Sequence, residues 1–225
     1  MSRLKFQCHC LPGFLAFVIS LGSGCVNTDY NPQLVQDVNE DGIFLYQKGD
    51  FYHARESFEL ALEKKKDDPG LLYNLAQCYD RLGDNDKAEK TYRLCLEHQP
   101  DHPECRHALT TLLYRLGRRS EAEKHIEGWL VSQPDSADAY VEDAWRLQQE
   151  GDVLKAQGRL QQALAKDPNN VRALSHLGAL YETQDRPELA LPLYEKALSI
   201  NPNRYDLQQH INGMLARGVR RPLPD

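Results

Sequence analysis

The sequence repeats itself with a period of 34 residues, and this period constrains the fold more than any other feature. Five segments follow one another without insertion or deletion, and an alanine stands at the same place in each of them. The segments are 35–68, 69–102, 103–136, 137–170 and 171–204, and the alanines are Ala54, Ala88, Ala122, Ala156 and Ala190. A unit of this length buries its apolar face only by stacking on its neighbours. The period therefore predicts an elongated array.

Further columns indicate that each repeat consists of two helices joined by a tight turn. Large apolar residues and leucines recur at helical spacing, which is typical of the buried stripe of a helix. Glycine recurs between the two predicted helices, where its tolerance of positive φ allows a tight turn, and Asp185 replaces it in the last copy. Proline closes four of the five segments, as expected where a helix ends. The columns are Phe58, Tyr92, Ile126, Leu160 and Tyr194; Leu62, Leu96, Leu130, Leu164 and Leu198; Gly49, Gly83, Gly117 and Gly151; and Pro100, Pro134, Pro168 and Pro202.

The second copy, LLYNLAQCYDRLGDNDKAEKTYRLCLEHQPD, resembles the tetratricopeptide repeat, and the resemblance extends over residues 35–204. The matching residues are Asn74, Leu75, Ala76, Tyr79, Gly83, Ala88, Tyr92 and Pro100. The resemblance implies an all-α fold, a right-handed superhelical solenoid of helix pairs. Apolar residues continue the first-helix pattern beyond the last copy, so residues 205–217 are predicted to form a capping helix. A disordered tail is predicted at 218–225.

The first two dozen residues have the composition of an export signal. Two basic residues precede the apolar run 11–21, which is too short to span a bilayer, and small residues follow it. Cys25 comes directly after LGSG and resembles the lipid-bearing cysteine of bacterial lipoproteins. We therefore predict a signal peptide at 1–24, a lipid on Cys25 and a linker at 25–34. Cleavage without lipidation is the alternative.

The predicted location follows from this signal. A lipid on Cys25 would anchor the chain to a membrane of the bacterial cell envelope. The periplasmic face of the outer membrane is favoured, because Val26 rather than aspartate follows the cysteine. Without the lipid, the chain would be periplasmic or secreted.

Composition and motifs argue against two large classes of function. A net charge of −6 argues against a general nucleic-acid binder, which is usually basic. The sequence has no glycine-rich phosphate loop and no HExxH pair, and its histidines and acids follow repeat position instead of gathering. We therefore expect neither an enzyme nor a cofactor.

One stretch, LCLEHQPDHPECRH at 94–107, is rich in cysteine and histidine, the preferred ligands of zinc. Cys95 falls in a column of small residues and is most simply a core residue. Cys105 and His107 lie two residues apart on the next predicted helix, and thus roughly 200° apart around its axis. A zinc site is therefore disfavoured and no bound metal is expected. A Cys95–Cys105 disulfide remains as another alternative.

The resemblance also implies where a partner would bind, since the first helices of tetratricopeptide arrays line a concave groove. Aromatic and arginine side chains, which are enriched in binding hot spots, are frequent at these places. The predicted groove residues are Tyr46, Tyr73, Gln77, Arg81, His107, Tyr114, Arg115, Trp145 and Gln148. An alternative is that Tyr46, Tyr73 and Tyr114 pack against neighbouring helices.

The lysine–asparagine clamp that some family members use to grip chaperone tails is absent from the matching places. The groove instead predicts an extended or helical segment held by aromatic contacts, with Arg81 and Arg115 meeting acidic groups of the partner.

Some residues depart from the repeat pattern. Trp129 stands in a column of small residues, and Arg106, Asp41 and Asp143 occupy places that are usually apolar. A bulky indole where two helices should approach closely predicts looser packing between the third and fourth copies. The first copy is predicted to be weakly defined.

Together these features predict an exported, lipid-anchored scaffold that recruits or assembles envelope proteins. Its layout resembles that of bacterial lipoproteins in pilus and secretion-channel assembly. A hypothesis from another class is a regulatory or substrate-presenting subunit of a cell-wall or glycan-processing enzyme. Self-association through the ends of the superhelix is a third hypothesis. The predicted partner is a protein or peptide of unknown identity.

Overall fold

The computed structural model describes residues 31–221, and every regular element in that range is an α-helix. The helices pack as five consecutive pairs, each on the next, and an eleventh helix covers the last pair. They are α1 (Pro32–Gln47), α2 (Phe51–Lys64), α3 (Pro69–Arg81), α4 (Asn85–His98), α5 (Pro103–Arg115), α6 (Arg119–Ser132), α7 (Ala137–Gln149), α8 (Val153–Lys166), α9 (Val171–Thr183), α10 (Pro187–Ile200) and α11 (Tyr205–Ala216). The prediction of an all-α solenoid with a capping helix is confirmed.

The first helix begins earlier than predicted, so the linker predicted at 25–34 overlaps α1. The side chain of Asn31 caps α1 by accepting hydrogen bonds from the first free backbone N–H groups. Pro32 follows at the first helical position, where a missing N–H leaves no hydrogen bond unmade. The predicted signal peptide at 1–24 and lipid site at Cys25 lie outside the described residues. Within residues 31–221, no helix has the length and apolarity needed to cross a membrane.

The described residues after α11 contact the last pair. Val219 packs against the core of the last pair. The guanidinium of Arg221 donates a hydrogen bond of 2.9 Å to the carboxylate of Glu195 on α10. Residues 218–221 of the predicted tail therefore contact the last pair, and residues 222–225 lie outside the described residues.

The turn inside each pair uses a residue in the left-handed region of the backbone. Gly49, Gly83, Gly117 and Gly151 have φ between 75° and 83°, and Asp185 has φ 57° at the same place in the fifth pair. A side chain in this conformation meets the neighbouring carbonyl oxygen, which makes it unfavourable for residues other than glycine.

Asp185→Gly is therefore expected to raise the free energy of unfolding by about 1 kcal/mol. The Asp185 side chain is exposed, so its removal disturbs no buried contact. Urea unfolding of the full chain measures the change. The converse substitution, Gly151→Asp, should lower the stability by a similar amount. Wild-type stability of both variants would contradict this account of the turn.

In two of the pairs, a glycine on the first helix packs directly against an aromatic ring on the second helix. A Cβ atom added to Gly178 would lie 2.7 Å from Cε1 of Tyr194, and one added to Gly42 would lie 2.7 Å from Cε1 of Phe58. Both rings are buried against the bare glycine backbone. This contact between a glycine and an aromatic ring was not predicted from the sequence.

The third pair is packed more loosely than the others, both within itself and against the fourth pair. Trp129 is buried on α6, with the Arg106 guanidinium 4.6 Å from its ring centre. Its Nε1 donates a 2.9 Å hydrogen bond to the Gln133 side chain. The looser packing predicted from Trp129 is confirmed, and it extends into the third pair itself. The prediction of a weakly defined first copy is wrong, because α1 and α2 pack as closely as α3 and α4.

The apolar core is interrupted at the same junction, since one cluster ends in the third pair at Ala122 and the next begins in the fourth pair at Ala137. The fourth pair also buries a charge. Asp143 on α7 takes a position that most other copies fill with leucine. Its carboxylate oxygens lie 2.6 Å from the guanidinium nitrogens of Arg146 and Arg159. Two cations thus offset the burial of one carboxylate.

Candidate partner-binding groove

Three of the predicted groove residues form one cluster across the third and fourth pairs. The Trp145 ring on α7 lies 5.2 Å from the His107 ring and 5.3 Å from the Tyr114 ring, both on α5. Both contacts are nearly perpendicular, the favourable edge-to-face geometry. We call His107, Tyr114 and Trp145 the aromatic cluster. It spans the junction where the apolar core is interrupted.

One residue of the aromatic cluster, His107, contacts a buried acid that was not among the predicted groove residues. Glu142 on α7 is fully buried, and its carboxylate oxygens lie 3.1 and 3.2 Å from Nδ1 of His107. A carboxylate only accepts hydrogen bonds, so this contact requires the proton on Nδ1. Arg172 on α9 reaches the same carboxylate at 3.6 Å and binds Asp138 at 2.9 Å. Glu142 thereby links the first helices of three successive pairs and fixes the orientation of His107.

A second histidine borders this network. His176 on α9 is shielded from solvent, and burial, followed by the nearby positive charge of Arg172, lowers its pKa to about 4. At neutral pH its imidazole is therefore uncharged.

Three buried hydroxyl groups on the same helices have no hydrogen-bond partner within the described chain. They belong to Thr111 and Tyr114 on α5 and to Ser175 on α9. A buried polar atom left unpaired destabilises the fold by about 1–3 kcal/mol, so such atoms usually have a hydrogen-bond partner in the protein or an ordered water molecule. The three hydroxyl oxygens are closed off from solvent in this structure, so they are not part of the surface open to a partner.

The remaining predicted tyrosines make contacts within the protein. Tyr73 is half-buried beside Tyr92 and His102, with ring centres 6.3 and 5.3 Å away, and burial raises its pKa to about 12. Tyr46 meets Phe51 edge-to-face at 5.1 Å. These contacts support the alternative that Tyr46 and Tyr73 pack against neighbouring helices.

Tyr46 and Gln77 also line a separate concavity of about 330 Å³ between α1 and α3, which we call the N-terminal pocket. Its other walls are Ile43, Gln47, Phe58 and Asn74. The predicted groove residues therefore form two groups, one at this pocket and one at the aromatic cluster. Gln148 belongs to the second group, one turn beyond Trp145 on α7, and is partly exposed.

The two predicted arginines differ in what they contact. Arg115 forms an ion pair with Asp80 of the preceding pair and a 3.2 Å hydrogen bond to Asn85. Arg81 stacks on the rings of Phe51 and Tyr46, at 4.4 and 5.9 Å. No carboxylate within the described residues forms a salt bridge with Arg81, so its charge remains open to a partner, whereas that of Arg115 is neutralised.

The cysteine- and histidine-rich stretch is part of the scaffold. Cys95 and Cys105 are buried free thiols, and each donates to a backbone carbonyl, of Pro69 at 3.4 Å and of Tyr92 at 3.3 Å. The disulfide that the sequence left open is not formed. His102 caps α5, and His98 lies 3.6 Å from Asp67. The described residues contain no group of ligands placed to hold a metal.

Comparisons with known proteins agree with this architecture. Two sequence profiles, both of the tetratricopeptide repeat, match the chain at residues 45–94 and 141–205. The chain belongs to the tetratricopeptide repeat family. Tetratricopeptide repeat proteins are generally non-enzymatic scaffolds, and the fold is suited to binding protein or peptide partners. A comparison with curated protein sequences finds no significant match.

Solved tetratricopeptide repeat structures resemble this chain. TTC0263, a thermophilic member from Thermus thermophilus, has 26% identity and a TM-score of 0.59, over 81% of this chain and 99% of that chain. Human IFIT1, solved as a dimer with PPP-AAAA, has 21% identity and a TM-score of 0.52, over 82% of this chain and 46% of that chain. The likeness to IFIT1 shows the fold alone.

Proposed function

We propose that this tetratricopeptide repeat protein is an exported, lipid-anchored scaffold that holds a segment of a partner protein at the aromatic cluster. The observation that carries the proposal is Trp145, which stands edge-to-face between His107 and Tyr114 at the junction of two repeats. A tryptophan committed only to the core would be fully buried, as Trp129 is. Trp145 instead lies on a groove helix and is partly exposed.

The chemistry of the site defines the kind of segment that fits. An apolar or aromatic side chain of the partner would pack on the open part of the Trp145 ring. An acidic side chain nearer the N-terminal pocket would meet Arg81, whose charge is open.

The sequence before α1 supports an anchor close to the array. Only residues 26–31 separate Cys25 from Pro32, the first residue of α1. Even fully extended, such a connection spans roughly 20 Å. An array held this close to a membrane surface would meet partners that are themselves in the envelope.

Cys25→Ser is expected to abolish incorporation of a labelled fatty acid and to move the protein from the membrane fraction to the soluble fraction. The thiol is the acceptor of the lipid, and serine offers no equivalent nucleophile. Cys10→Ser, within the predicted signal, is the matched control and should keep the label. A label that persists in Cys25→Ser, or an unlabelled wild type, would remove the lipid anchor from the proposal.

Site-specific photo-crosslinking in cells tests the groove. One variant carries a photo-crosslinking amino acid in place of Gln148, one turn from Trp145. The other carries it in place of Val131 on α6, which is 82% exposed and lies on a second helix. The proposal predicts a discrete crosslinked protein from position 148 and none from position 131. The same protein captured equally from both positions, or from position 131 alone, would overturn the groove assignment.

A further inference from the structure

The first helix of the array presents a stripe of residues that no other part of the described chain covers. The stripe consists of Leu34, Asp37, Asp41, Phe44 and Lys48, spaced three or four residues apart and so on one face of α1. We call it the α1 face. Phe44 is 58% exposed and Leu34 is 41% exposed, and Nζ of Lys48 lies over the Phe44 ring at 5.4 Å.

The equivalent positions of the second pair show what such a face contacts. Leu71, Leu75 and Cys78 lie 34 residues after Asp37, Asp41 and Phe44. All three are buried in a cluster with α2 of the preceding pair. The α1 face therefore occupies the position of a repeat-to-repeat interface, without a preceding repeat in the described chain.

The α1 face is more apolar than the exposed surface of a typical capping repeat. The capping repeats of solenoids usually turn a polar surface to solvent. Here two carboxylates lie between two exposed apolar side chains. No ion pair joins Asp37 or Asp41 to a cation within the described residues; Asp37 accepts only a 2.7 Å hydrogen bond from Gln33. The pattern is that of an interface with an apolar contact at each end and negative charge between.

The opposite end of the array carries a matching surface on α11. One side of this helix buries Leu207, Ile211 and Met214 against the last pair. The other side exposes Tyr205 by 75% and Leu215 by 43%. Its polar residues are Gln208 and Asn212, with Arg217 and Arg220 just after the helix, and we call this set the α11 face.

The two faces match in spacing and in charge. Leu34 and Phe44 are ten residues apart, as are Tyr205 and Leu215, which is about 15 Å along a helix in each case. Laid antiparallel, the helices bring Phe44 onto Tyr205 and Leu34 onto Leu215 at once.

The polar residues favour the same antiparallel arrangement. The amides of Gln208 and Asn212 then face Asp41 and Asp37, and the cations after α11 lie at the Asp37 end. At the other end Lys48 meets no unpaired cation, because Arg204 is bound to Asp206 at 2.7 Å. A parallel arrangement would instead place Lys48 beside Arg217, bringing like charges together.

We propose that the α11 face of one copy of this chain binds the α1 face of a second copy, head to tail. The two surfaces differ, so the contact is heterologous, and a pair of bound copies still has a free α1 face at one end and a free α11 face at the other. One helix against another is a small interface, so the association is weak and concentration-dependent. It leaves the aromatic cluster free and would set several grooves in a row.

Sedimentation velocity of the full chain tests the proposal, from about 1 µM to about 1 mM. The weight-average mass is expected to rise above that of one chain across this range. Phe44→Glu and Tyr205→Glu should each weaken the association by at least about tenfold, since each buries a charge in the contact. Val131→Glu, which alters an exposed apolar residue outside both faces, should leave it unchanged. A single-chain mass throughout the range would overturn the proposal.

A charge exchange gives the sharper test. Asp37→Lys with Asp41→Lys makes both faces of a copy basic, and Arg217→Glu with Arg220→Glu makes both faces acidic. Each double variant alone should remain a monomer, and an equimolar mixture should associate again. Recovery in the mixture also shows that both variants are folded. Association that persists in each variant alone, for example through residues 1–30, or no recovery on mixing, would overturn the proposal.

Discussion

Trp145→Ala is expected to weaken binding of the groove partner by about 30-fold or more while leaving the helices folded. A central, partly buried tryptophan at an interface typically contributes about 2 kcal/mol or more, which corresponds to this factor. The indole also helps to position His107 and Tyr114, because both rings pack edge-to-face against it. Its removal therefore takes away contact area and the order of the surrounding surface together. Trp145 is partly exposed, unlike the buried core residue Trp129, so its loss is expected to leave the helices packed.

Titration of the purified full chain with the protein captured from position 148 measures this effect, and circular dichroism checks the fold. Tyr52→Ala is the matched control, because Tyr52 is an aromatic residue of α2 that is 52% exposed and lies outside the groove. Its affinity should equal that of the wild type, and Trp145→Phe should fall between the two. A folded Trp145→Ala variant with wild-type affinity would mean that the partner binds elsewhere.

Gly178→Ala is expected to lower the free energy of unfolding by about 1–3 kcal/mol, the usual effect of overpacking a core. The added Cβ would lie 2.7 Å from Cε1 and 2.9 Å from Cζ of Tyr194. The ring has little freedom to move, because its hydroxyl donates a 2.8 Å hydrogen bond to Glu182. His210 of α11 holds the same carboxylate at 2.8 Å and packs edge-to-face on the ring at 5.2 Å. The substitution therefore strains α9, α10 and the capping helix together.

Gly158→Ala is the matched control for this effect. Gly158 also lies inside a helix, α8, but its added Cβ would meet nothing within 4 Å. This variant should be more stable than the wild type by up to about 1 kcal/mol, because alanine favours helix over glycine. Thermal unfolding compares the two, and the double variant Gly178→Ala, Tyr194→Leu should recover part of the loss. A stability gain from both alanines would contradict the tight contact.

The helices and their order could be predicted from the 34-residue period, because each repeat is a local unit with the same buried columns. The looser packing between the third and fourth pairs was also predicted, since Trp129 replaces a small residue where helices must approach, but the looser packing within the third pair was not. The contact between Gly178 and Tyr194 was not predicted. Gly178 is one of several small residues along the first helices, and the sequence alone does not show that the Tyr194 ring packs against it.

The buried acid under the groove was missed for a physical reason. Glu142 is not contacted by its neighbours in sequence but by His107, 35 residues earlier. The same separation joins Asn39 to Asn74 and Asp80 to Arg115. Polar pairs about one repeat apart on the first helices are thus a signal that could have revealed the network. Columns of identical residues reveal the repeat, whereas this network depends on complementary charges between adjacent copies.

The same rule explains why one predicted role changed. Arg115 was expected to meet an acidic group of the partner, but its own array supplies Asp80 at that separation. Arg81 has Tyr46 and Gln47 in the corresponding places of the first pair, and neither is an acid. The charge of Arg81, unlike that of Arg115, is therefore available to an acidic group of a partner.

Hydrogen exchange of the full chain, measured with and without the captured partner, tests the central claim most directly. The account predicts slowed exchange in α5 and α7, the two helices that carry the aromatic cluster, and in the adjoining part of α9. The second helices α6 and α8 should exchange at the same rate in both samples. Protection confined to α6 and α8, or no protection of α5 and α7 by a bound partner, would contradict the assignment of the groove.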